Sequence, residues 1–324
     1  MNRAIVMQQY GGPEVLQVQP VDVAAPGVGQ VRLRQQAIGV NFHDIYVRSG
    51  LYRSLPLPGT PGIEAVGVIE AVGPQVSGLR VGDRVGYITS RYGAYASARL
   101  LPADWAIVLP ADLDATTAAS ILLKGLTVEM LVRQAHRLEA GQSVLVHAAA
   151  GGVGRLLCQW ASHLGARVIG TVGSEEKARI AREAGCHDVV PYRQESFVER
   201  VRDITAGRGV DVAYDAVGKD TFEGSLDCLA IRGHLVNYGQ ASGAVAPFAV
   251  SRLSARSNTV SRPILFHYAD TSEARQRMAG HLFDAIRQGW LTPVAPREFA
   301  LDDAAAAHHA LEHERGSRPL VLLP

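Results

Sequence analysis

The sequence predicts a two-domain α/β protein, in which a small β-barrel is followed by a doubly wound parallel sheet. Three observations support this class. Residues 1 to about 120 form short strand-like runs separated by turn signals, apolar strands alternate with helices from about residue 124, and the 324 residues exceed the size of one ordinary domain. Each segment is long enough to bury a core of its own.

The first segment contains three strand-like runs, at residues 31–40, 62–73 and 84–88. Turn residues such as Gly, Pro and Asp separate the runs. Short strands bounded in this way are typical of a strongly bent barrel.

The second segment contains five apolar strands, at residues 144–147, 167–172, 188–190, 210–215 and 234–238, with helical patterns between them. Such alternation indicates a parallel sheet. After about residue 262, helices at 272–288 and 302–314 and strand-like pieces at 296–299 and 320–323 are expected to return to the first domain. We therefore predict one domain from residues 1–123 and 264–324, and another from 124–263.

A glycine-rich turn follows the first strand of the second segment. Residues 149–154 read AAGGVG, the dinucleotide fingerprint G-x-G-x-x-G with alanine at the first position. A glycine cluster alone is often an ordinary turn, but this one follows a strand and opens a helix, whose N-terminus attracts phosphate. Gly154 would allow the helix to pack closely on the strand. The turn predicts cofactor contacts at Ala150, Gly151, Gly152 and Val153.

The end of the next strand indicates which dinucleotide binds. An NAD enzyme usually has an acidic residue there, about 20 residues past the glycines, whereas this chain has Gly173 and Ser174. Ser174 would cap a helix at 175–184 and place Lys177 in its first turn, where a cation opposes the helix dipole. An anion between them would remove that conflict. We predict that Ser174 and Lys177 hold the 2′-phosphate of NADPH, helped by Tyr192; the alternative is a solvated lysine.

Composition argues against several classes of partner. A net charge of +1 and 47% hydrophobic residues give no bulk electrostatic basis for binding nucleic acid or an anionic membrane. The N-terminal residues are too polar for a signal peptide, and no uninterrupted apolar run approaches about 18 residues. We expect a cytoplasmic protein with a small-molecule partner. Cys158, Cys186 and Cys228 are odd in number and widely spaced, so packing explains them better than disulfides.

Six motifs spread over the chain carry a family resemblance: YGGPEVL at 10–16, GVNFHD at 39–44, RSGLY at 48–52, KGLT at 124–127, HAAAGGVG at 147–154 and YDAVG at 214–218. Together they resemble the zinc-free quinone oxidoreductases, of the zeta-crystallin type, in the medium-chain dehydrogenase/reductase superfamily. The resemblance implies a GroES-like catalytic domain, a Rossmann domain that binds NADPH, and a cleft between them. It also implies a quinone substrate and a homodimer joined through edge strands, here around residues 259–263.

The resemblance also bears on zinc. Zinc-dependent relatives have a cysteine and a histidine as ligands where this sequence has Asn41 and Ile63, and no cysteine precedes residue 158. His43, Asp44 and Glu64 could be imagined as a substitute site. Adjacent residues on a strand point to opposite faces, however, so we expect a structural role for them and no metal.

Without a metal, reduction would depend on the cofactor and on polar groups beside a flat apolar slot. The resemblance implies that Asn41, Tyr46 and Tyr52 line this catalytic slot, Asn41 also contacting the cofactor. Asn41 could instead be a turn residue, and either tyrosine a core residue. Thr127, placed by the resemblance at the start of a helix, would contact the nicotinamide or cap that helix.

Further cofactor contacts are expected at the carboxyl ends of parallel strands, where open α/β sheets bind ligands. These are Val217, Tyr238, Gly239 and Gln240. The resemblance adds Leu265 and Phe266 on the nicotinamide side, and makes Arg315 and Arg318 candidates at the adenine or phosphate end.

Four histidines invite a catalytic or metal interpretation that we do not favour. His147 ends a buried strand, so a hydrogen-bonded core role is expected. His308, His309 and His313 cluster on one helix, with His309 and His313 at i, i+4 spacing. No Glu or Cys completes a site, so we expect a solvated face.

The first hypothesis is therefore an NADPH-dependent quinone reductase that delivers hydride directly, with water or a tyrosine relaying the proton. Reduction of an enone or an enoyl thioester is an alternative, since Arg48, Arg53 and Arg91 could bind thioester phosphates. An NADPH-responsive RNA-binding or crystallin-like protein is an alternative of another class. The near-neutral charge and the lack of a basic-aromatic strip argue against it.

Overall fold

The computed structural model describes residues 1–314 and 318–324. Its strands are β1 Arg3–Val6, β2 Gln17–Pro20, β3 Gln30–Val40, β4 Glu64–Val72, β5 Arg84–Ile88, β6 Ala98–Pro102, β7 Ile107–Val108, β8 Ser143–Val146, β9 Arg167–Val172, β10 Asp188–Pro191, β11 Val210–Asp215, β12 Leu229–Asn237, β13 Thr259–Ser261, β14 Arg297–Ala300 and β15 Leu320–Leu323. Its α-helices are α1 Phe42–Ser49, α2 Ala115–Met130, α3 Gly152–His163, α4 Glu175–Glu183, α5 Phe197–Ile204, α6 Phe222–Asp227, α7 Leu265–Tyr268, α8 Ser272–Arg287 and α9 Ala304–His313.

The chain forms two compact units. Unit 1 contains Met1–Leu123, Ala269–Phe283 and Pro293–Pro324, and unit 2 contains Lys124–Tyr268 and Asp284–Thr292. The functional domain limits predicted from the sequence, 1–123 with 264–324 and 124–263, stay a prediction.

Unit 1 is built around a largely antiparallel sheet in which β3 is the central strand. The sheet runs β14-β15-β3-β4-β5-β7, and β6 also pairs with β3. Register shifts between β3 and β4, near Arg32 and Gln35, interrupt the regular pairing. Such irregularities increase the local twist, which fits the predicted bent barrel. Because β3 ends at Val40 and β4 begins at Glu64, these two strands bring Asn41 and Glu64 to one place.

Unit 2 contains a six-stranded, wholly parallel sheet in the order β10-β9-β8-β11-β12-β13. This confirms the predicted doubly wound sheet. The chain moves outward in one direction from β8 and then in the other from β11, so the order reverses between these two strands. Ligands of open α/β sheets bind beyond the carboxyl ends of the strands at such a reversal.

The core of unit 2 explains why its strands read as continuous apolar runs. Leu145, Ile169, Val190 and Leu235 lie on four of the six strands and are fully buried, with Phe222 of α6 packed in the same cluster. Burying one such side chain contributes about 1.5–3 kcal/mol. Because helices cover the faces of the sheet, polar functional groups are expected at the ends of its strands.

One helical stretch is more apolar than the others around it. Among the described residues, Ala115–Ala135, which joins α2 to a π-helical turn, is long and apolar enough to cross a membrane by length and composition alone. Within the protein, 78% of its most apolar window is buried. A buried core helix passes the same test, so this stretch is weak evidence for a membrane span.

Candidate functional site

The glycine turn of unit 2 has the geometry of a nucleotide cradle. Gly151 is the N-cap of α3, in an extended conformation, and Ala148 adopts a positive φ of 52°. A Cβ on Gly154 would lie 2.2 Å from the carbonyl oxygen of Ala148, so only glycine fits there. The first turn of α3 can therefore come close to β8 and present its N–H groups to an anion. Ala150, Gly152 and Val153 lie in this cradle, as expected.

The residues predicted to hold the 2′-phosphate lie beyond the ends of β9 and β10. Ser174 is the N-cap of α4, and its hydroxyl accepts a hydrogen bond from the backbone N–H of Lys177 at 3.3 Å. The predicted cap is thus confirmed. A Cβ on Gly173 would lie 3.0 Å from the Tyr192 hydroxyl and 3.6 Å from Nε of Arg193. The structure therefore brings these residues together and adds Arg193, which sequence reasoning missed.

Two more strand ends are fixed by buried polar contacts. Asp215 accepts hydrogen bonds from the backbone N–H groups of Val217, at 2.8 Å, and Gly218, at 3.0 Å. A Cβ on Gly239 would lie 2.4 Å from the Ala216 carbonyl oxygen, so the loops after β11 and β12 approach closely only because residue 239 is glycine. Tyr238 and Gln240, which flank it, are half-buried at the same sheet edge.

His147 has the core role expected from the sequence. It is buried, with Nδ1 2.9 Å from the Thr171 hydroxyl and Nε2 2.9 Å from the Ser225 hydroxyl. Burial lowers the pKa of its imidazole. The neutral ring therefore ties β8 to β9 and α6 behind the glycine turn.

The remaining predicted cofactor residues of unit 2 lie on helices. Leu265 is buried and Phe266 half-buried in the short helix α7. Thr127 lies near the end of α2, so the expectation that it begins a helix was wrong, and N-capping cannot explain it. The sequence misled because α2 starts nine residues before Lys124, where the helical pattern was first recognised.

In unit 1, Asn41 is held rigidly by a buried carboxylate. Its Nδ2 donates to Oε2 of Glu64 at 2.8 Å, and Oε1 of Glu64 accepts the backbone N–H of Leu123 at 2.6 Å. Asn41 and Glu64 are both buried. Asn41 is also the N-cap of α1, where its backbone N–H donates to Asp44 at 2.9 Å. Its side chain is thus fixed in one orientation beside α1.

Tyr46 and Tyr52 belong to an aromatic cluster. Their rings meet edge to face with centroids 5.1 Å apart, and Tyr52 packs in the same way on His43 at 5.6 Å. Nε2 of His43 lies 3.3 Å from the Tyr92 hydroxyl, which hydrogen-bonds in turn to Ser54. Burial lowers the pKa of His43 to about 4, so its ring is neutral at pH 7. Tyr92 is the member that the sequence analysis did not name, and the contact of His43 with this cluster was not expected.

The strand geometry assumed for His43 and Asp44 was wrong, because both lie on α1. Asp44 caps the helix and accepts the Tyr95 hydroxyl at 3.2 Å, while His43 faces Tyr92. Their different contacts nevertheless agree with the structural role expected of them. No cluster of three or more potential metal ligands from His, Cys, Asp and Glu occurs in residues 1–314 and 318–324.

A buried network behind α1 corrects two further expectations. Arg48 was a candidate for thioester phosphates, but it is 3% exposed and forms two 2.8 Å hydrogen bonds to Glu312. His308 was expected on a solvated face, but it is fully buried. Its Nε2 lies 2.9 Å from the Tyr95 hydroxyl and its Nδ1 3.5 Å from Arg48. The face of α9 that packs inward carries this histidine, which the sequence pattern alone did not reveal.

Four further basic residues near the C-terminus were considered in the sequence analysis: His309, His313, Arg315 and Arg318. His309 and His313 are exposed, and their ring centroids lie 4.7 Å apart. The guanidinium of Arg318 donates to the carbonyl oxygens of Ala295 and Pro296 at 3.0 and 2.5 Å. Arg315 lies outside the described residues.

Comparison with known proteins agrees with this architecture. Residues 27–111 match the alcohol dehydrogenase GroES-like domain family, and residues 152–280 match the zinc-binding dehydrogenase family. The chain is 46% identical to a quinone oxidoreductase of Pseudomonas aeruginosa, with 100% of both covered. It is 44% identical to a 2-haloacrylate reductase of a Burkholderia species, over 100% of this chain and 99% of the relative.

A solved structure gives the same result at the level of the fold. The crystal structure of Escherichia coli quinone oxidoreductase complexed with NADPH superposes with a TM-score of 0.96, at 42% identity and 100% coverage of both chains. Full-length identity at this level, together with the parallel sheet and the glycine cradle, places the protein in a family. The chain belongs to the quinone oxidoreductases of the medium-chain dehydrogenase/reductase superfamily.

Proposed function

We propose that this protein is an NADPH-dependent quinone oxidoreductase. The observation that carries the proposal is the carboxyl edge of the parallel sheet, where the glycine cradle adjoins a corner with a serine cap and a lysine, and where β9 is followed by Gly173 and Ser174 instead of the acidic residue typical of NAD enzymes. The relatives described above are named for quinone reduction, and one was crystallised with NADPH.

The residues of unit 2 fit the cofactor. The first N–H groups of α3 bind the pyrophosphate, because no Cβ at Gly154 holds the helix away from the strand. Ser174, Lys177 and Tyr192 hold the 2′-phosphate. Val217 and Gly239, which follow β11 and β12, would contact the dinucleotide, and Leu265 and Phe266 would contact its nicotinamide side. NADPH, when bound, supplies a hydride from its nicotinamide ring.

The residues of unit 1 supply the polar side of the reaction. Asn41, whose amide donates to Glu64, would contact the cofactor when it is bound. The hydroxyl groups of Tyr46 and Tyr52 donate to the quinone oxygen on which negative charge develops. Thr127 of unit 2 assists on the nicotinamide side. The rings of the aromatic cluster, which meet edge to face, offer apolar surface to a quinone.

An acceptor screen tests the proposal. We expect the purified chain to oxidise NADPH with small and large quinones, followed by the absorbance of the reduced nicotinamide, and to use NADH poorly. 2-Haloacrylate and enoyl thioesters serve as competing acceptors, because one relative is named for the former. Turnover of an activated alkene without turnover of any quinone would contradict the proposal. The enoyl-thioester alternative is already weaker, because Arg48 is bound to Glu312.

We also propose a cytoplasmic homodimer joined through β13. This strand forms the edge of the parallel sheet and is paired on one side with β12. Ile264, next to it, is 49% exposed, as an edge that adds a second copy would require. Light scattering of the purified chain tests this: a mass of one chain across the working concentrations would contradict it.

A further inference from the structure

We propose that Arg193 is the second cation of the 2′-phosphate corner and that it sets the preference for a 2′-phosphorylated cofactor. The inference rests on the proposed NADPH binding and assigns a role to a residue that the sequence analysis did not name. It follows from a charge balance and from the position of one side chain.

The single charge of Lys177 does not neutralise a phosphate monoester. A phosphate monoester carries about −1.5 to −2 charges at pH 7. On α4, Arg179 pairs with Glu183, and Arg182 pairs with Glu175 at 3.0 Å. Within the described part of the chain Lys177 has no such carboxylate partner, so its single charge is available to the phosphate. About one negative charge would remain uncompensated without another cation.

Arg193 stands where that cation is needed. In the register of β9 and β10, Val172 lies opposite Pro191, so the residues that follow each strand are neighbours. A Cβ on Gly173 would be 3.6 Å from Nε of Arg193, on the same side as the Tyr192 hydroxyl at 3.0 Å. The guanidinium therefore lies beside the residue that precedes the Ser174 cap.

The state of Arg193 also fits this role. Its side chain is exposed, and no carboxylate of the described ranges lies within ion-pair distance of it. Arg200, on the next helix, by contrast has Glu195 at 4.0 Å. The planar guanidinium can donate two parallel hydrogen bonds to one phosphate, which an ammonium cannot. Gly173 keeps this approach open because it has no side chain.

The test compares two nucleotides that differ only by the 2′-phosphate. Isothermal titration of the full chain with 2′,5′-ADP and with 5′-AMP would measure Kd for wild type, R193A, R193K and K177A. R182A is the matched control, since Arg182 lies on α4 but is paired with Glu175. We expect R193A to weaken 2′,5′-ADP about tenfold, as for one charge-assisted contact in an exposed site, and to leave 5′-AMP within about twofold.

The controls separate charge from geometry and from folding. R193K should recover part of the loss, because it keeps the charge but not the bidentate fork. R182A should leave both nucleotides unchanged. The thermal midpoint of each variant checks the fold, and R193Q replaces R193A if the alanine variant does not fold.

The outcomes distinguish this inference from the proposed function. If wild type binds 2′,5′-ADP no better than 5′-AMP and K177A changes neither, the proposed NADPH preference is wrong. If K177A weakens 2′,5′-ADP selectively and R193A does not, the role of Arg193 alone is overturned. An equal loss of both nucleotides in R193A would also overturn it, because the side chain would then act on something other than the 2′-phosphate.

Discussion

Gly154 illustrates how one missing side chain makes a ligand site. Its α-carbon belongs to the first turn of α3, and the carbonyl oxygen of Ala148 occupies the space that a Cβ would need, at 2.2 Å. Ala148 in turn has a positive φ of 52°. The conformation of the turn is therefore determined by backbone packing.

The first prediction concerns this glycine. G154A should lower the free energy of unfolding by about 2 kcal/mol, because the added methyl group meets backbone that cannot rotate away. NADPH affinity should fall with it, since α3 must move off β8. Urea unfolding and a fluorescence titration measure the two effects. G280A is the control: a Cβ there meets nothing within 4 Å, so alanine in this helix should stabilise by up to about 1 kcal/mol.

The second prediction concerns metal dependence. By the family resemblance, Asn41 stands where zinc-dependent relatives have a zinc ligand. Here its amide donates to Glu64 at 2.8 Å, and the other carboxylate oxygen of Glu64 accepts the Leu123 N–H. We therefore expect a strong chelator to leave the rate of NADPH oxidation unchanged. A loss of activity that zinc restores would contradict this mechanism.

At the scale of residues, the sequence predicts contacts within a local motif better than contacts between segments that only folding brings together. Ser174 and Lys177 are three residues apart, so capping rules link them directly. Arg193 follows a different strand and becomes a neighbour only through the pairing of β9 with β10. Tyr92 reaches His43 across 49 positions of sequence. No local pattern encodes such contacts.

At the scale of elements, α1 is positioned by α9. Arg48 donates to Glu312, and to Nδ1 of His308, which must therefore accept. The neutral imidazole then carries its proton on Nε2 and donates it to Tyr95, whose hydroxyl donates to Asp44. This continuous chain fixes the helix that carries Tyr46.

The third prediction follows from the ion pair in this chain. The side chains of Arg48 and Glu312 are 4% and 22% exposed, so E312Q leaves a buried guanidinium without a counter-charge. We expect a loss of about 2–4 kcal/mol in the free energy of unfolding. Adding R48M should recover part of it, because the unpaired charge is removed. A double-mutant cycle in urea checks this, and purely additive losses would argue against the pairing.

The bounds of elements were predictable where the pattern was regular. The predicted runs 84–88, 167–172, 210–215 and 320–323 coincide with β5, β9, β11 and β15. β12 was expected to begin at residue 234 but begins at Leu229, because Arg232 adopts a positive φ of 64° and Gly233 follows it, which breaks the alternation. Helix α1 was missed because eight residues between two strands contain too few turns to establish a helical period.

For the whole molecule, three histidines couple stability to pH. Burial lowers the pKa of His308 to about 3, and those of His43 and His234 to about 4. In the unfolded chain each is near 6.5. The unfolded state therefore binds more protons between about pH 6.5 and 4, so the free energy of unfolding is greatest above pH 6.5 and falls as the pH is lowered through this window.

The fourth prediction is the magnitude of this pH dependence. Between pH 7 and 5 we expect a loss of about 3 kcal/mol, allowing for solvent screening at the half-buried histidines. Urea midpoints across this range measure it. H234Q should make the free energy of unfolding less dependent on pH, by the equivalent of up to about one bound proton. A stability that is constant down to pH 5 would show that these rings are not held neutral by the fold.

The pairing of β15 with β3, Leu320 opposite Val40, has a consequence for synthesis. Residues 124–268, most of unit 2, form one continuous stretch, whereas unit 1 draws on segments from both sides of it. On the ribosome, the nucleotide-binding part can fold as soon as it emerges. The barrel must wait, with Arg48 exposed, until Glu312 and β15 have been translated, so a chaperone that binds the nascent chain has its longest opportunity there.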